Sequence, residues 1–113
     1  MKNIPKNEGL NDYQIYVYNA LKERGFLDQD VNTRLTLLME EIGELAKSIR
    51  KYNNERIDKK SKVNNLSDEI ADVFFVLVSI ANKCDINIAD AFVRKEEINN
   101  KREWIVSIKE FNN

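Results

Sequence analysis

The stretch IADVFFVLVSIA, residues 70–81, decides the fold of this chain. Its central residues, 73–78, are all apolar, and the surrounding segment 66–83 contains neither glycine nor proline, which favours a helix. A helix that is apolar on every side has to be covered on every side. Because four short helices of one chain would struggle to do this, we predict a homo-oligomer with this helix at or near the subunit interface.

The periodicity of the remaining sequence predicts three further helices, and therefore an all-α bundle of four or five helices. The four predicted helices cover residues 11–24, 33–52, 66–83 and 88–102 or beyond. Gly25 is placed to end the first helix in the left-handed conformation. An asparagine precedes each of the others as a candidate N-cap: Asn32, Asn65 and Asn87. Asp68 and Asp90 fall in first turns, where the helix dipole favours acids. Ile108 and Phe111 would pack a short fifth helix or a tail.

The chain of 113 residues predicts a single domain, 1–113. The polar residues 1–9 and 53–64 predict a mobile N-terminus and a mobile surface loop, and residues 105–113 a tail. The sequence has no signal-peptide pattern, and its longest apolar stretch is too short to span a bilayer. We therefore expect a cytoplasmic protein without a membrane partner.

The composition argues against several classes of function. The net charge is −1, whereas general nucleic-acid binders carry a basic excess, so we expect no nucleic-acid partner. The chain has no histidine, which removes the usual general base and the usual zinc ligand. Its one cysteine, Cys84, ends the apolar segment, and we expect a buried structural thiol there. Catalysis would therefore need carboxylates, lysine, tyrosine or a metal-bound water.

Two of the predicted helices carry acidic groups at helical spacing. These acids are Glu40, Glu41 and Glu44 on the second helix and Glu69 and Asp72 on the third. At roughly 100° per residue, each group shares one face of its helix. Each group also borders a predicted apolar seam, formed by Leu35, Leu38, Ile42, Leu45 and Ile49 in the second helix and by Leu66, Ile70, Val73 and Leu77 in the third. If the helices pack antiparallel along these seams, the two acidic groups meet, with Glu40 pointing furthest from the seam.

Such a cluster of carboxylates is unfavourable without a cation, since like charges repel more strongly beside apolar surroundings. Oxygen ligands without histidine or cysteine favour magnesium, manganese or calcium over zinc or copper. Asp72, with apolar neighbours, is the strongest single indication of a site. Gly43 costs about 1 kcal/mol in the middle of a helix, which the close approach of another helix would explain. The alternative is a solvated acidic surface, because glutamates are common on exposed helix faces.

A third group, Lys95, Asn99 and Arg102, shares one face of the fourth predicted helix at steps of four and three residues. Lysine and arginine bind phosphate oxygens, and arginine does so bidentately. The alternative is that these basic residues complement the dipole at the end of their helix.

The strings EEIGELA, residues 40–46, and EIADV, residues 69–73, resemble the E-E-x-x-E … E-x-x-D signature of MazG-like nucleotide pyrophosphohydrolases. The pattern K-x-x-x-N-x-x-R, residues 95–102, is similar to that family's downstream motif. The resemblance implies a bundle of the all-α NTP pyrophosphatase type that assembles as a homodimer or homotetramer. It also implies Mg²⁺-dependent hydrolysis of a nucleoside triphosphate to the monophosphate and pyrophosphate, as in cleansing of the nucleotide pool, with Mn²⁺ able to replace Mg²⁺.

The resemblance further implies a role for each motif residue. The implied metal ligands are Glu41, Glu44, Glu69 and Asp72. Glu40 or Glu41 would activate or orient the water. The implied substrate contacts are Lys95, Asn99 and Arg102. Some relatives place a tyrosine on the triphosphate one turn after the aspartate, where this chain has Val76, so that contact is missing or comes from elsewhere. Candidate aromatic residues for a base pocket are Tyr16, Tyr18, Phe75 and Trp104.

Three other interpretations stay open from the sequence. The chain could be a non-catalytic helical module that binds a nucleotide or a metal. It could be a plain interaction protein whose acids are solvated. Finally, phosphoribosyl-ATP pyrophosphohydrolases share the superfamily, and the motifs alone do not separate them from this chain.

Overall fold

The computed structural model describes residues 3–53 and 64–103, with side chains from Leu66 onward in the second range. The described residues form four α-helices and no strand, which confirms the all-α prediction. The helices are α1 (Leu10–Arg24), α2 (Val31–Tyr52), α3 (Asn64–Lys83) and α4 (Ile88–Asn100). Residues 54–63 of the predicted loop, the element at Ile108 and Phe111, and Trp104 lie outside the described residues, while residue 64, the expected end of the loop, already belongs to α3. The mobility expected of residues 1–9 stays a prediction.

Two of the predicted N-caps are wrong because each helix begins earlier than expected. α2 begins at Val31, and its cap is Asp30, whose Oδ1 accepts the backbone N–H of Thr33 at 2.7 Å. This hydrogen bond lowers the pKa of Asp30 below its usual value. Asn32 is consequently inside the helix. α3 begins at Asn64, so Asn65 is also inside, and Asp68 lies beyond the first turn.

The other predicted helix ends agree better with the structure. Gly25 closes α1 with a φ of 83°, and the side chain of Asn87 caps α4 by accepting the N–H of Asp90 at 2.9 Å. α4 ends at Asn100, two residues before the expected limit. The N–H groups of Lys101 and Arg102 donate to carbonyls three residues back, which is the tighter hydrogen-bond pattern of a 3₁₀ turn.

The packing of α2 is set by one side chain, Arg34, which is only 2% exposed. Its Nε and Nη2 donate to the carbonyls of Gln29 and Leu27 in the α1–α2 connection, at 3.0 and 2.8 Å. Its Nη1 donates to the carbonyl of Ser79 in α3 at 2.7 Å. A buried guanidinium is tolerated because backbone oxygens satisfy it. These bonds tie α2 to α3 in one rotation and one register.

This rotation differs from the one that the sequence predicted. The residues of α2 that are withdrawn from solvent are Arg34, Leu37, Leu38, Glu41, Leu45 and Ser48. Three members of the expected seam, Leu35, Ile42 and Ile49, are instead exposed. The predicted seam is therefore only partly right, because Arg34 directs the neighbouring stripe of α2 toward α3.

Apolar residues of α2 and α3 are left on a common outer surface. α3 runs antiparallel to α2, since Arg34 contacts Ser79 whereas the later Glu41 lies beside the earlier Asp72. In an antiparallel pair of helices, the residue that directly follows a contact residue points to the same side of the pair on both helices. The exposed apolar residues that follow the contact face, here named the outer stripe, are Leu35, Met39, Ile42 and Ile49 of α2 and Ile70 and Leu77 of α3.

The remaining helices pack on α3 and α1. α1 buries Val17 and Leu21 against Val78 of α3, and Tyr13 meets Phe74 edge to face at 6.0 Å between ring centroids. α4 packs mainly on α1, and its first residue also packs against the core cluster of Val17, Leu21 and Val78.

Gln14 of α1 connects three parts of the fold. Its Nε2 donates to Asn82 of α3 and to the carbonyl of Ile86, and its Oε1 accepts the N–H of Ile88 at the start of α4, each at 2.9 Å. The start of α4 is therefore fixed relative to α1 and α3 by one amide.

Two smaller expectations have different outcomes, and the one for Cys84 is wrong. Cys84 is exposed, since α3 ends at Lys83 and Cys84 lies in the turn that follows. Gly43 has no described atom of this chain within 4 Å of the position that a Cβ would take, so the close approach of another helix is not met by α1, α3 or α4 and stays a prediction for an assembled protein. Among the described residues, no helix is long and apolar enough to cross a membrane.

We predict that Arg34→Lys lowers the free energy of unfolding by about 2–4 kcal/mol. The single ammonium of lysine lacks the planar fork of arginine, so it leaves buried carbonyls without a donor. Urea denaturation would measure the loss. The matched control is Arg50→Lys, an exposed arginine of the same helix, which should change stability by less than about 0.5 kcal/mol. Equal effects of the two substitutions would contradict the role assigned to Arg34.

Candidate metal centre

Three of the predicted acids meet at the contact between α2 and α3. Glu41, Glu69 and Asp72 each place a carboxylate oxygen within 4.8 Å of the others. Glu41 and Glu69 are half-buried, and Asp72 is exposed. The antiparallel register fixed by Arg34 brings Glu41 level with the turn that carries Glu69 and Asp72. The sequence-based expectation that the two acidic groups would meet is thus fulfilled for these three residues.

The electrostatics of the cluster are unfavourable without a cation. The pKa of Glu41 is raised above its usual value, first by burial and then by repulsion from Asp72, Glu69, Glu44 and Glu40 in decreasing order. Both effects disfavour the charged form of the carboxyl group. A divalent cation would reverse the repulsion. An all-oxygen set without a sulfur or imidazole donor suits a hard ion such as Mg²⁺, so the donor chemistry fits the metal that the sequence suggested.

The two remaining acids occupy the margin of the cluster. Glu44 and Glu40 are exposed, and neither belongs to the group of oxygens within 4.8 Å. Both are close enough to contribute to the repulsion at Glu41, Glu44 more than Glu40. Glu40 is therefore the outermost of the five in electrostatic terms, as its angular position on α2 suggested.

The predicted basic group lies on and just after α4, which packs mainly on α1. Lys95 is exposed on α4, and the side chain of Asn99 donates to Glu96 at 2.6 Å. Arg102 follows the end of α4, so it does not share a helical face with the other two as expected. Neither cation contributes to the pKa of Glu41, and α4 packs on α1. The role of these three residues in substrate binding stays a prediction.

The candidate aromatic residues are spread over the fold. Tyr16 and Phe75 are half-buried and pack against the core, whereas Tyr18 is exposed. Only Phe75 follows Asp72 on the same helix, one turn toward its C-terminal end. Sequence reasoning missed Arg34, which no motif marks, because its three partners are carbonyls that are distant from it in sequence or lie in a connection.

Comparison with known proteins gives a consistent result. The family model described as the MazG nucleotide pyrophosphohydrolase domain matches residues 29–103. A protein of Bacillus subtilis (strain 168), named only as the uncharacterised protein YpjD, is 36% identical over 87 residues, which are 74% of this chain and 76% of YpjD. A crystal structure of YpjD from Bacillus subtilis, named there a "putative pyrophosphatase", is similar with a TM-score of 0.72 and 28% identity. This similarity covers 88% of this chain and all of that one.

We predict that Glu41→Gln stabilises the metal-free protein at pH 7. A carboxyl group whose pKa is raised by folding binds its proton more tightly in the folded state. The contribution of this carboxyl group to the free energy of unfolding is therefore fully present below the usual carboxyl pKa. It is lost as the pH rises through the raised pKa of the folded state. Removing the charge of Glu41 should raise the free energy of unfolding by about 0.2–0.5 kcal/mol for each like-charged neighbour. Thermal unfolding in EDTA at pH 7 and at pH 3.5 would measure the effect.

The gain at pH 7 should vanish at pH 3.5, where the wild-type carboxyl is itself protonated. The control is Glu23→Gln, an exposed glutamate of α1 outside the cluster, which should leave the stability unchanged at both pH values. A destabilising effect of Glu41→Gln at pH 7 would mean that the charged form is favoured in the fold.

Proposed function

Since this chain belongs to the family of the MazG nucleotide pyrophosphohydrolase domain, we propose that it hydrolyses a nucleoside triphosphate, with ribose or deoxyribose, to the monophosphate and pyrophosphate. The observation that supports this most is the meeting of Glu41, Glu69 and Asp72 within 4.8 Å on two helices. Mg²⁺, which commonly bridges carboxylates and substrate phosphates, is the proposed ion, and Mn²⁺ is proposed to replace it.

The proposed metal ligands are Glu41, Glu69 and Asp72, with Glu44 as a fourth ligand from the turn that follows Glu41. The bound ion would neutralise the triphosphate and polarise the phosphorus that is attacked. The fold contributes the convergence of the ligands, because Arg34 holds the two helices in the register in which their carboxylates meet.

The carboxylates are also proposed to act on the attacking water. Glu40 or Glu41 accepts a hydrogen bond from this water and takes one of its protons as the oxygen bonds to the α-phosphorus. The bond from the α-phosphorus to the bridging oxygen breaks at the same time. The monophosphate keeps the new oxygen, and pyrophosphate leaves. The chain has no histidine, so a carboxylate is the available base beside the cluster.

The contacts to the leaving pyrophosphate are assigned to Lys95, Asn99 and Arg102. The cationic groups of Lys95 and Arg102 would stabilise the negative charge that builds up on the leaving group. Because α4 packs on α1 within one chain, we propose that these residues approach the cluster of a second copy in the assembled protein.

The outer stripe supports assembly into a homodimer or homotetramer. Met39 is 66% exposed and Ile42 is 47% exposed, and the other members of the outer stripe are similarly open. Several large apolar side chains exposed on one side of a helix pair are typical of an interface rather than of a monomer in water. The outer stripe directly borders the carboxylates, since Ile42 follows Glu41 and Ile70 follows Glu69. A second copy on this surface would therefore lie beside the metal centre.

We predict that Mg²⁺ raises the melting temperature of the wild-type protein and supports pyrophosphate release from nucleoside triphosphates. Asp72→Asn should abolish the metal-dependent stabilisation and lower kcat/KM more than about a hundredfold, because even residues that only support a metal ligand contribute 10- to 100-fold. The matched control is Glu97→Gln, an exposed acid of α4, which should retain both properties.

The outcomes of this experiment separate the alternatives. Mg²⁺ stabilisation without turnover of any nucleotide would favour a non-catalytic binding module. A melting temperature that does not change up to millimolar Mg²⁺ would favour a plain interaction protein. Turnover of phosphoribosyl-ATP alone would move the chain to that neighbouring class.

We also predict that Met39→Glu disrupts the homo-oligomer. In an isolated chain this side chain is largely solvated, so the substitution would cost little, whereas a glutamate at an apolar interface loses its hydration. Multi-angle light scattering should show a smaller mass for the variant. Ile15→Glu, at a position that is 59% exposed on α1, is the control and should keep the wild-type mass. A wild-type protein that is monomeric at micromolar concentration would contradict this assembly.

A further inference from the structure

A cavity of about 360 Å³ lies between the C-terminal half of α1, α2 and α3, apart from the carboxylates. Its walls include Leu21 and Phe26 from α1 and the connection, Leu37 from α2, and Phe75 and Val76 from α3. The volume falls in the range of small-molecule sites. The cavity lies on the side of the α2–α3 pair that faces α1, whereas the outer stripe lies on the opposite side. A second copy bound to the outer stripe would therefore not block the cavity.

The cavity is one helical turn from the metal centre along both helices. Leu37 precedes Glu41 by four residues, and Val76 follows Asp72 by four residues. At a rise of 1.5 Å per residue, the cavity is displaced by about 6 Å along the axes. The base and the α-phosphate of a nucleotide are separated by one sugar, which is a distance of the same order as this displacement. A nucleotide with its phosphates at the carboxylates can therefore extend its base into this cavity.

The wall of the cavity has the chemistry of a base site. Phe75 offers an aromatic ring, and the guanidinium carbon of Arg24 lies 5.4 Å from the centre of that ring. Within the described part of the chain, the guanidinium of Arg24 has no hydrogen-bond or ion-pair partner. An arginine has several N–H donors and no acceptor. It can therefore bond to a carbonyl oxygen in the plane of a base but not to an amino group.

We propose that this cavity binds the base of the substrate and that Arg24 selects bases that carry a carbonyl at the edge where adenine and cytosine carry an amino group. Hypoxanthine, guanine and uracil belong to this oxo class. The inference deepens the proposed function and rests on it for the placement of the phosphates. Phe75 and Phe26 supply the apolar surface on which the base packs, and Arg24 supplies the discrimination.

The kinetic test compares two pairs of substrates that differ in one exocyclic group. Inosine and adenosine triphosphates form one pair, and uridine and cytidine triphosphates form the other. The wild-type enzyme should favour the oxo member of each pair in kcat/KM by about ten- to a hundredfold, the range for a hydrogen bond to a charged donor. Arg24→Met should reduce both ratios toward one by slowing only the oxo substrates.

Two further variants sharpen this test. Lys22→Met removes a cation from the same last turn of α1 without touching the cavity, and it should keep both ratios. Arg24→Lys keeps the charge but loses the planar fork, so it should also reduce the ratios. If Arg24→Met slows all four substrates equally, Arg24 binds phosphate and the base assignment is wrong. A wild-type preference for the amino members overturns the proposal as well.

A binding measurement keeps this inference separate from the proposed function. Inosine and adenosine monophosphates are titrated into the wild-type protein, and the ring resonances of Phe75 and Phe26 are followed by NMR. We expect both rings to shift, with inosine monophosphate binding about tenfold or more tightly than adenosine monophosphate. If neither ring shifts with any nucleotide, the base site is wrong even if the protein hydrolyses triphosphates. Ring shifts without any hydrolysis would retain the base site and refute the proposed reaction.

Discussion

The hydrogen bonds of one buried guanidinium determine how this fold is assembled. Arg34 binds two carbonyls of the α1–α2 connection and one of α3, so a single planar group fixes three segments relative to one another. The rotation of α2 follows from these bonds, and with it the choice of which stripe meets α3. Glu41 is directed to the contact because it lies seven residues, about two turns, after Arg34 on the same face. The position of the acidic cluster is thus a consequence of a residue that takes no part in it.

The cluster is a point where packing opposes electrostatics. Burial and four neighbouring acids disfavour the charged form of Glu41, yet the helix contact holds Glu69 and Asp72 beside it. The rest of the α2–α3 contact compensates for this repulsion in the free protein. A bound cation would change the repulsion into a shared attraction without any movement of the helices. This is the arrangement expected of a preorganised site, in which the ligands already hold their binding positions without the metal and thereby lower the stability of the free protein.

The sequence predicted the features that depend on local spacing. The four helices, the caps at Gly25 and Asn87, and the pairing of Glu69 with Asp72 on one face all follow from steps of three or four residues. Features that depend on distant partners were predicted less well. The stripe of α2 that meets α3 is less apolar than the predicted seam, so periodicity alone selects the wrong stripe, because the rotation of α2 is set by the bond from Arg34 to the carbonyl of Ser79. Asp30 and Asn32 are both good caps, and only the observed bond to Thr33 decides between them. The predicted basic group was placed beside the acids because of its spacing, whereas α4 packs mainly on α1.

The antiparallel register of α2 and α3 also constrains how the length of this chain can vary. One residue inserted between Arg34 and Glu41 would turn the glutamate by roughly 100° and carry it off the contact face. The same slip would turn Ile42 and Ile49 of the outer stripe as well. A single deletion between Asp72 and Ser79 would turn these two residues away from each other by the same angle. Insertions and deletions compatible with this architecture are therefore confined to the connections and the ends, and related chains should keep the interval from residue 34 to residue 41 and the interval from residue 72 to residue 79 at constant length.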